Sequence, residues 1–494
     1  MPEDKREIRE QDPLGHDYRV LVQSVHDLYN RDHYYISDLP DENRHFLYSH
    51  PGVESIPVPA ILPAFTALAG QVESQTEPRY QALSSRLSAL RQIHDRNWFL
   101  MTPYEKRGEL PAGVDFHSAT DICHTAFGFD PKQVVESAPV TPEEITAFHS
   151  RVYDSIPVGV LKTAAVGPDG QPVSNDSFVS SETGEPVKQN YLDHPELLRA
   201  KRAQYLKELT LAKNEGKQAE RIAQTAWKIV NARADAIGLS FPRTVVRTSS
   251  DKVGYTEFFL FIPPPDDPEK EQHPSILTLY PSANLSAHRR IMGLCHELGH
   301  ALHMPYQYDF YKKDGESEYA VYDSVTPPVT EAIADNMLKL LFPDAESLTA
   351  ASMKLYEVTG QDINREQLKK FLETNVYGDA DPDYLTTKER LQWQRFVTFE
   401  EVEQSDDQRA VLEFTRMAEI SLLPQNEISS QLSHYRYLRH YIFGYAAYRA
   451  LVARELKGLT GRDRATALLE LCKQKPPRIS QEELTSLLPP RPAP

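Results

Sequence analysis

The sequence predicts a mainly α-helical protein that contains a small β-sheet. Three observations lead to this prediction. Apolar residues recur at three- and four-residue steps over most of the chain, strand-like runs occur together only between about residues 244 and 280, and no repeat of about 20–50 residues is visible. The 494 residues exceed what one small hydrophobic core organises, so we expect two or three packed regions.

Residues 1–166 are expected to form a helical N-terminal region that encloses a cleft. Apolar residues from Tyr18 to Asn30 have helical spacing, and a longer helical pattern covers Ala60 to about Trp98. The stretch Thr141–Glu144 combines a capping threonine, an early proline and two acids, which is typical of a helix start. Residues 167–190 are rich in Gly, Pro, Ser and Asn and predict a flexible loop, either a lid or a linker.

Residues 191–494 are expected to form a second region. The stretch Glu196–Ile237 lacks proline and predicts one long helix or a helical hairpin. From Ala283 onward helices are expected again, with loops at 305–329 and 375–385. The predicted sheet is built from Thr244–Thr248, Tyr255–Ile262 and Ser275–Tyr280.

Charge and cysteine content exclude several classes of partner. The chain has 54 Lys+Arg against 71 Asp+Glu, a net charge of −17, and such a surface repels nucleic acid and anionic lipid. No apolar run reaches the roughly 20 residues of a membrane span, and the charged N-terminus does not resemble a secretory signal. Three cysteines without a CxxC pair support neither a disulfide framework nor a cysteine zinc cage. We therefore expect a protein of the reducing cytoplasm.

The clearest chemical motif is His296-Glu297-Leu298-Gly299-His300. Residues four apart share one face of a helix, so the two imidazoles can bind one Zn²⁺ while Glu297 points at the metal-bound water. Zinc lowers the pKa of that water to about 7, and a carboxylate beside it can take its proton as the water attacks a carbonyl. A chance pattern with two ordinary surface histidines is the alternative.

A catalytic zinc needs a third protein ligand and an open position. The candidate acids downstream are Asp309, Asp314, Glu316, Glu318, Asp323, Glu331 and Asp335. Glu331 is preferred because it begins an apolar helical pattern whose small residues permit close approach to the first helix. Asp335 follows four residues later and is placed either to accept the N–H of a ligating histidine or to lie at the surface. His303 is expected to be either a structural residue or a hydrogen-bond partner behind the ligands, rather than a ligand itself.

A tyrosine-rich segment, Tyr435–Tyr448, lies late in the chain. Its phenols and His440 surround Gly444 and could form a row of hydrogen-bond donors facing a reaction intermediate. Aromatic packing with hydroxyls that reach solvent explains the same residues nearly as well. The sequence leaves both interpretations open.

Three blocks in this order resemble the thimet oligopeptidase and neurolysin family of zinc peptidases. They are SILTLYPSANLSAHRRIMGLCHELGHALH, TEAIADN, and His440 with Gly444-Tyr445, and the resemblance covers about residues 250–450. The resemblance implies a multi-helical zinc peptidase fold with a deep substrate cleft and a small sheet beside the active-site helix. It implies Glu331 as the glutamate ligand, and His440 and Tyr445 as groups that stabilise the oxyanion and hold substrate.

The chain departs from the family pattern in two places. Glu331 follows His300 by 31 residues, a longer interval than in the family, and Ala450-Leu451-Val452 stands where the family has a further tyrosine. Tyr448 is a candidate substitute for it. The segment EAIAD also resembles the ligand helix of the dipeptidyl carboxypeptidases related to angiotensin-converting enzyme.

These observations favour a zinc metallopeptidase that hydrolyses internal bonds of short peptides, with one Zn²⁺ per chain. The expected ligands are His296, His300 and Glu331, with Glu297 as general base, and the strand Ser275–Tyr280 is expected to pair with the substrate. One alternative is a zinc-dependent biosynthetic enzyme that acts on a non-peptide amide, an ester or an activated small molecule. Another is an inactive helical binding module.

Overall fold

The computed structural model describes most of the chain and is mainly α-helical, which confirms the predicted fold class at that level. The described residues are 12–29, 55–102, 104–166, 172–173, 178–211, 217–239, 244–248, 258–261, 275–279, 285–314, 326–378, 384–403, 407–423, 425–474 and 477–489.

Ten α-helices and one short 3₁₀-helix, Tyr104–Glu109, precede the sheet in the part of the chain that the structure describes. The α-helices are α1 Pro13–Tyr29, α2 Val58–Glu73, α3 Pro78–Met101, α4 Ala119–Phe127, α5 Pro131–Ser137, α6 Pro142–Ser155, α7 Val158–Lys162, α8 Lys188–Asp193, α9 Pro195–Glu208 and α10 Lys217–Ala236. The helix start predicted at Thr141 is confirmed, because Thr141 and Glu144 form a reciprocal capping box. The pattern from Ala60 to Trp98 divides into two helices, α2 and α3, since α3 begins afresh at Pro78.

The stretch 167–190 is described only in part. Strand β1 (Ala165–Val166) pairs antiparallel with β2 (Pro172–Val173), and Val179 forms a bridge with Pro186 around a turn. Residues 167–171 and 174–177 lie outside the described residues, so the interpretation as a lid or a linker stays a prediction.

Strand β3 (Thr244–Thr248), β4 (Phe258–Phe261) and β5 (Ser275–Leu279) form a three-stranded arrangement in the order β3-β5-β4. β5 is parallel to β3 and antiparallel to β4, with Val246 and Leu260 both opposite Leu277. The expectation that Ser275–Tyr280 offers an edge to substrate is therefore wrong, because β5 is hydrogen-bonded on both sides. The strand that packs against the following helix is β4.

Nine further helices follow in the described residues. They are α11 Ala287–Asp314, α12 Thr326–Leu341, α13 Ala345–Thr359, α14 Arg365–Asn375, α15 Thr387–Glu403, α16 Asp407–Ile420, α17 Gln425–Glu455, α18 Gly461–Cys472 and α19 Gln481–Ser486. The loop predicted at 305–329 is wrong at both ends, since α11 continues to Asp314 and α12 begins at Thr326. The prolines at 327 and 328 belong to the first turn of α12, where a missing backbone N–H costs no helical hydrogen bond.

The buried apolar residues fall into two clusters. One joins α1, α2 and most of α3, with Tyr18, Phe65 and Leu90 at its centre. The other runs from Ala89 of α3 to Leu487 and includes helices from both sides of the stretch 167–190. The division predicted at that stretch stays a prediction.

Buried ion pairs connect the N-terminal helices to the C-terminal ones. Arg439 of α17 donates two hydrogen bonds of 2.9 Å to Glu403 of α15, and Arg96 of α3 lies 3.2 Å from the same carboxylate. Glu400 lies 3.3 Å from Arg96 and 3.5 Å from Arg439. Because these charges have little access to water, losing one partner would leave another buried and unpaired, so the network holds α17 in one position.

None of the helices that the structure describes is long and apolar enough to cross a lipid bilayer.

Candidate metal centre

Helix α11 carries the two histidines of the HELGH motif toward a shared point. Leu294, Leu298 and Leu302 bury the opposite side of the helix, so the motif residues lie on a partly exposed face. The rings of His296 and His300 have centroids 4.7 Å apart and are nearly perpendicular, and their Nε2 atoms are 3.1 Å apart. The four-residue spacing therefore places two ligand atoms together, as the sequence predicts.

Helix α12 supplies a carboxylate at the same point. Oε2 of Glu331 lies 3.1 Å from Nε2 of His296 and 3.7 Å from Nε2 of His300. The three residues form a group with the spacing required of metal ligands, although 31 residues separate the glutamate from the second histidine.

The triangle of ligand atoms fits a tetrahedral zinc ion. Metal–ligand distances of about 2.0–2.1 Å imply about 3.3–3.4 Å between neighbouring ligand atoms of a tetrahedron. The observed edges of 3.1, 3.1 and 3.7 Å lie on either side of that value. Two imidazoles and one carboxylate are also a donor set that zinc prefers, and three ligands leave a fourth position for solvent or substrate.

A glycine brings the two ligand helices into contact. A Cβ atom at Gly299 would lie 2.4 Å from the Cα of Ala334 and 2.9 Å from the Cγ of Met337. Real Cβ atoms do not approach a backbone this closely, so any larger residue would move α12 away from α11. The motif glycine thus helps determine whether Glu331 can reach the histidines.

Asp335 occupies the position suggested for it, one turn beyond Glu331. Its Oδ1 accepts a hydrogen bond of 3.1 Å from Nδ1 of His296, and its Oδ2 accepts one from the hydroxyl of Tyr445. A hydrogen bond at Nδ1 leaves the Nε2 lone pair of His296 facing Glu331 and His300. Asp335 therefore selects the tautomer that a metal ligand requires.

The electrostatics of the site favour positive charge at the centre of the triangle. Burial disfavours a charged imidazole at His296, but Asp335 and Glu331 outweigh burial and raise its pKa well above the ordinary value. Burial and the charge of His296 lower the pKa of His300 to about 4, against the opposing effect of Glu331. Burial alone would raise the pKa of Glu331, but His300, His296 and a hydrogen bond from Tyr441 lower it to about 2. The carboxylate therefore stays ionised, as a ligand must.

Glu297 and His303 complete the motif segment. Glu297 is partly exposed beside His296. His303 is fully buried, and its Nδ1 lies 2.9 Å from Oγ1 of Thr330, the residue before Glu331. Because the Thr330 hydroxyl also donates to the carbonyl of Thr326, its oxygen accepts from His303. His303 thus joins α11 to α12, which agrees with a structural role.

The two late residues implied by the family resemblance lie on different faces of α17. Tyr445 faces Asp335, and burial together with the charges of Asp335 and Glu331 raises its pKa well above the ordinary value, so it remains a donor. His440 is fully buried and its ring stacks on Phe127, with centroids 6.5 Å apart. This position does not support contact between His440 and a substrate, and the implied role stays a prediction.

Two other tyrosines of α17 have roles that sequence reasoning left open. Tyr441 donates a hydrogen bond to Glu331, whereas the sequence left open whether it packs in the core or donates to a reaction intermediate. The sequence signal for this contact is that Tyr441 lies four residues before Tyr445, just as Glu331 lies four residues before Asp335. Tyr448 is buried and donates a hydrogen bond of 2.8 Å to the carbonyl of Pro477, so it does not replace the missing family tyrosine.

The remaining candidate ligands are not placed by the structure. Glu316, Glu318 and Asp323 lie outside the described residues, and the side chains of Asp309 and Asp314 are not described.

No protein-family model matches the chain, and no curated protein matches it. Among solved structures, the chain is similar to "the putative lipoprotein from Colwellia psychrerythraea", with 12% sequence identity and a TM-score of 0.33. The match covers 83% of this chain and 66% of that one, slightly less than two thirds of the other protein's length. A likeness at that level indicates neither a shared fold nor a shared activity.

Proposed function

We propose that the protein is a zinc-dependent metallopeptidase that hydrolyses internal bonds of short peptides. The observation that carries the proposal is the triangle formed by Nε2 of His296, Nε2 of His300 and Oε2 of Glu331. Its edges suit one Zn²⁺ per chain, and Glu297 lies next to a ligand on the same partly exposed helix face.

Each residue has a defined task in this proposal. A bound Zn²⁺ would act as a Lewis acid toward the scissile carbonyl and lower the pKa of water to about 7. Glu297 accepts a proton from the attacking water and later donates it to the leaving nitrogen. Asp335 keeps His296 in the ligating tautomer, and Tyr445 donates its single O–H to Asp335. To serve the developing oxyanion, the Tyr445 hydroxyl would turn away from that carboxylate.

The substrate class, cleft and location belong to the same proposal. The resemblance of HELGHALH, TEAIADN and the late Gly-Tyr pair to the oligopeptidase family supports short peptides bound in a cleft above α11. Neither nucleic acid nor anionic lipid suits a chain of net charge −17. The three cysteines are buried thiols, which favours a reducing compartment such as the cytoplasm.

A Glu297→Gln variant tests the mechanism. We expect the variant to keep near-stoichiometric zinc and to lose hydrolysis of a quenched fluorescent peptide library by about 10²-fold or more, since it lacks the general base. Glu357→Gln, an exposed exchange of the same kind on α13, is the control and should behave like the wild type.

Three results would contradict the proposal. Wild-type protein without zinc would exclude the metal centre, and unchanged turnover in Glu297→Gln would exclude its general base. Turnover of small-molecule amides or esters but no peptide would favour the biosynthetic alternative instead.

A further inference from the structure

Helices α12 and α17 place a phenol opposite a carboxylate on two successive turns. Tyr445 donates to Asp335, and four residues earlier on each helix stand Tyr441 and Glu331. Glu331 accepts a hydrogen bond from Tyr441, so the two pairs step in the same direction and the two helices are parallel along this contact. Residues four apart on a helix lie roughly 6 Å apart on one face, and the rings of Tyr441 and Tyr445 have centroids 6.2 Å apart. The ring spacing agrees with Tyr441 lying over Glu331 while Tyr445 lies over Asp335.

The contact involves the one ligand that comes from a separate helix. Oε2 of Glu331 is the oxygen that faces both histidines, and the carboxylate also accepts a hydrogen bond from the Tyr441 hydroxyl. A carboxylate that binds a metal through one oxygen can still rotate about its side-chain bonds. A hydrogen bond from the protein removes that freedom, and outer hydrogen bonds of this kind are worth about 10–100-fold in metal affinity.

We infer that Tyr441 is a positioning residue for the metal ligand Glu331, which it holds in the orientation that faces His296 and His300. This inference rests on the proposed metal centre but goes beyond it, because it assigns to Tyr441 a role that neither the HELGH motif nor the family resemblance suggests. It also gives the two phenols separate tasks. Tyr441 orients a ligand directly, whereas Tyr445 acts on His296 through Asp335.

A Tyr441→Phe variant tests this inference, because it keeps the ring and removes only the hydroxyl. Tyr448→Phe is the matched control, since it removes a hydroxyl from a buried phenol of the same helix that bonds to Pro477. Both variants would be titrated with Zn²⁺ in competition with a chromophoric chelator, which gives the zinc affinity. They would also be titrated with Co²⁺, whose visible absorption bands report ligand geometry. Circular dichroism and thermal melting of the metal-free proteins check the fold.

We expect Tyr441→Phe to bind Zn²⁺ about 10–100-fold more weakly than the wild type and to show an altered Co²⁺ spectrum. Tyr448→Phe should match the wild type in both measurements. Equal zinc affinity and an unchanged spectrum in Tyr441→Phe would overturn the inference, and so would equal losses in both variants. A fall in kcat with unchanged affinity and spectrum would also overturn it, since that pattern belongs to a substrate donor.

The wild type separates failure of this inference from failure of the proposed function. If wild-type protein binds no Zn²⁺ and Glu331→Gln behaves identically, the metal centre itself is refuted, and the inference with it. If wild type binds Zn²⁺ and Glu331→Gln does not, while Tyr441→Phe is unaffected, only the positioning role fails.

Discussion

Two faces of helix α17 contact very different neighbours. Tyr441 and Tyr445 face the carboxylates of α12, where their hydroxyls donate hydrogen bonds. His440 and Gly444, each one residue earlier in the chain, face the ring of Phe127 in α4. A step of one residue rotates a side chain by about 100° around a helix, so neighbours in sequence serve different surfaces.

The difference shows how this helix can hold the Glu331 carboxylate, the proposed metal ligand, in one orientation. The face toward Phe127 is apolar and closely packed. Separately from that ring, the buried glutamates that hold Arg439 restrict rotation of the helix. The face toward α12 can then present two hydroxyls at fixed positions. We expect changes on the Phe127 side to lower stability and changes on the site side to lower metal affinity.

The largest effect should come from Phe127→Ala. The ring is fully buried against Phe129 and His440, and removing such a ring from a core costs about 3–5 kcal/mol of unfolding free energy. Chemical denaturation of the metal-free protein measures that loss. The folded variant should still bind Zn²⁺ as the wild type does, so a loss of affinity like that of Tyr441→Phe would contradict the separation of the two faces.

Gly299→Ala should follow, with a loss of about 2 kcal/mol of unfolding free energy and a large loss of zinc affinity. The new methyl group would meet the backbone of Ala334, which cannot rotate away, so α12 must move and carry Glu331 with it. Gly70→Ala is the control, because that exposed helical glycine has open space around it and its exchange should stabilise by roughly 0.4–1 kcal/mol. Normal zinc binding by Gly299→Ala would show that the helix spacing does not determine the site.

Acid should weaken the contact between α11 and α12. Burial, with the charge of His300, lowers the pKa of His303 from 6.5 to about 3, so folded His303 stays neutral where the unfolded chain takes up a proton. Stability from this residue is therefore present above pH 6.5 and is lost as the pH falls. Between pH 6.5 and 5, metal-free wild type should lose about 1.5–2 kcal/mol relative to His303→Gln. If the unfolding free energies of the two proteins, measured by denaturation, change equally with pH across that range, a buried neutral His303 is ruled out.

The parts of the site that local spacing determines could be predicted from the sequence. His296 and His300 converge because a helix alone brings residues four apart together, and the same rule relates Glu331 to Asp335. The step from α11 to Glu331 depends on packing, yet the small residues of TEAIAD indicated a close approach, which Gly299 and Ala334 make.

Other parts could not be predicted, because they depend on which neighbour each face meets. Nothing in the segment Tyr435–Tyr448 says whether His440 or Tyr441 faces α12, since both positions suit a helix equally. In the structure His440 stacks on Phe127, which lies over 300 residues away in sequence, and Tyr441 faces α12. In the same way, the spacing of Ser275–Leu279 did not reveal that two other strands occupy both of its edges.

The smallest effect should come from Gly444→Ala, which tests the two faces most finely. A Cβ atom there would lie 2.7 Å from Cε2 of Phe127, but this obstacle is the edge of a side chain rather than a backbone. The cost of crowding, about 1–3 kcal/mol, is partly offset by the roughly 1 kcal/mol by which alanine exceeds glycine in a helix, so the net loss should be about 1 kcal/mol. Phe127→Leu creates room, and the double variant should therefore be more stable than the sum of the two single changes predicts. Zinc affinity should remain at the wild-type value in all three variants, because Tyr441 and Tyr445 lie on the face toward α12. If zinc affinity falls in Gly444→Ala and recovers in the double variant, the Phe127 contact sets the position of the two phenols.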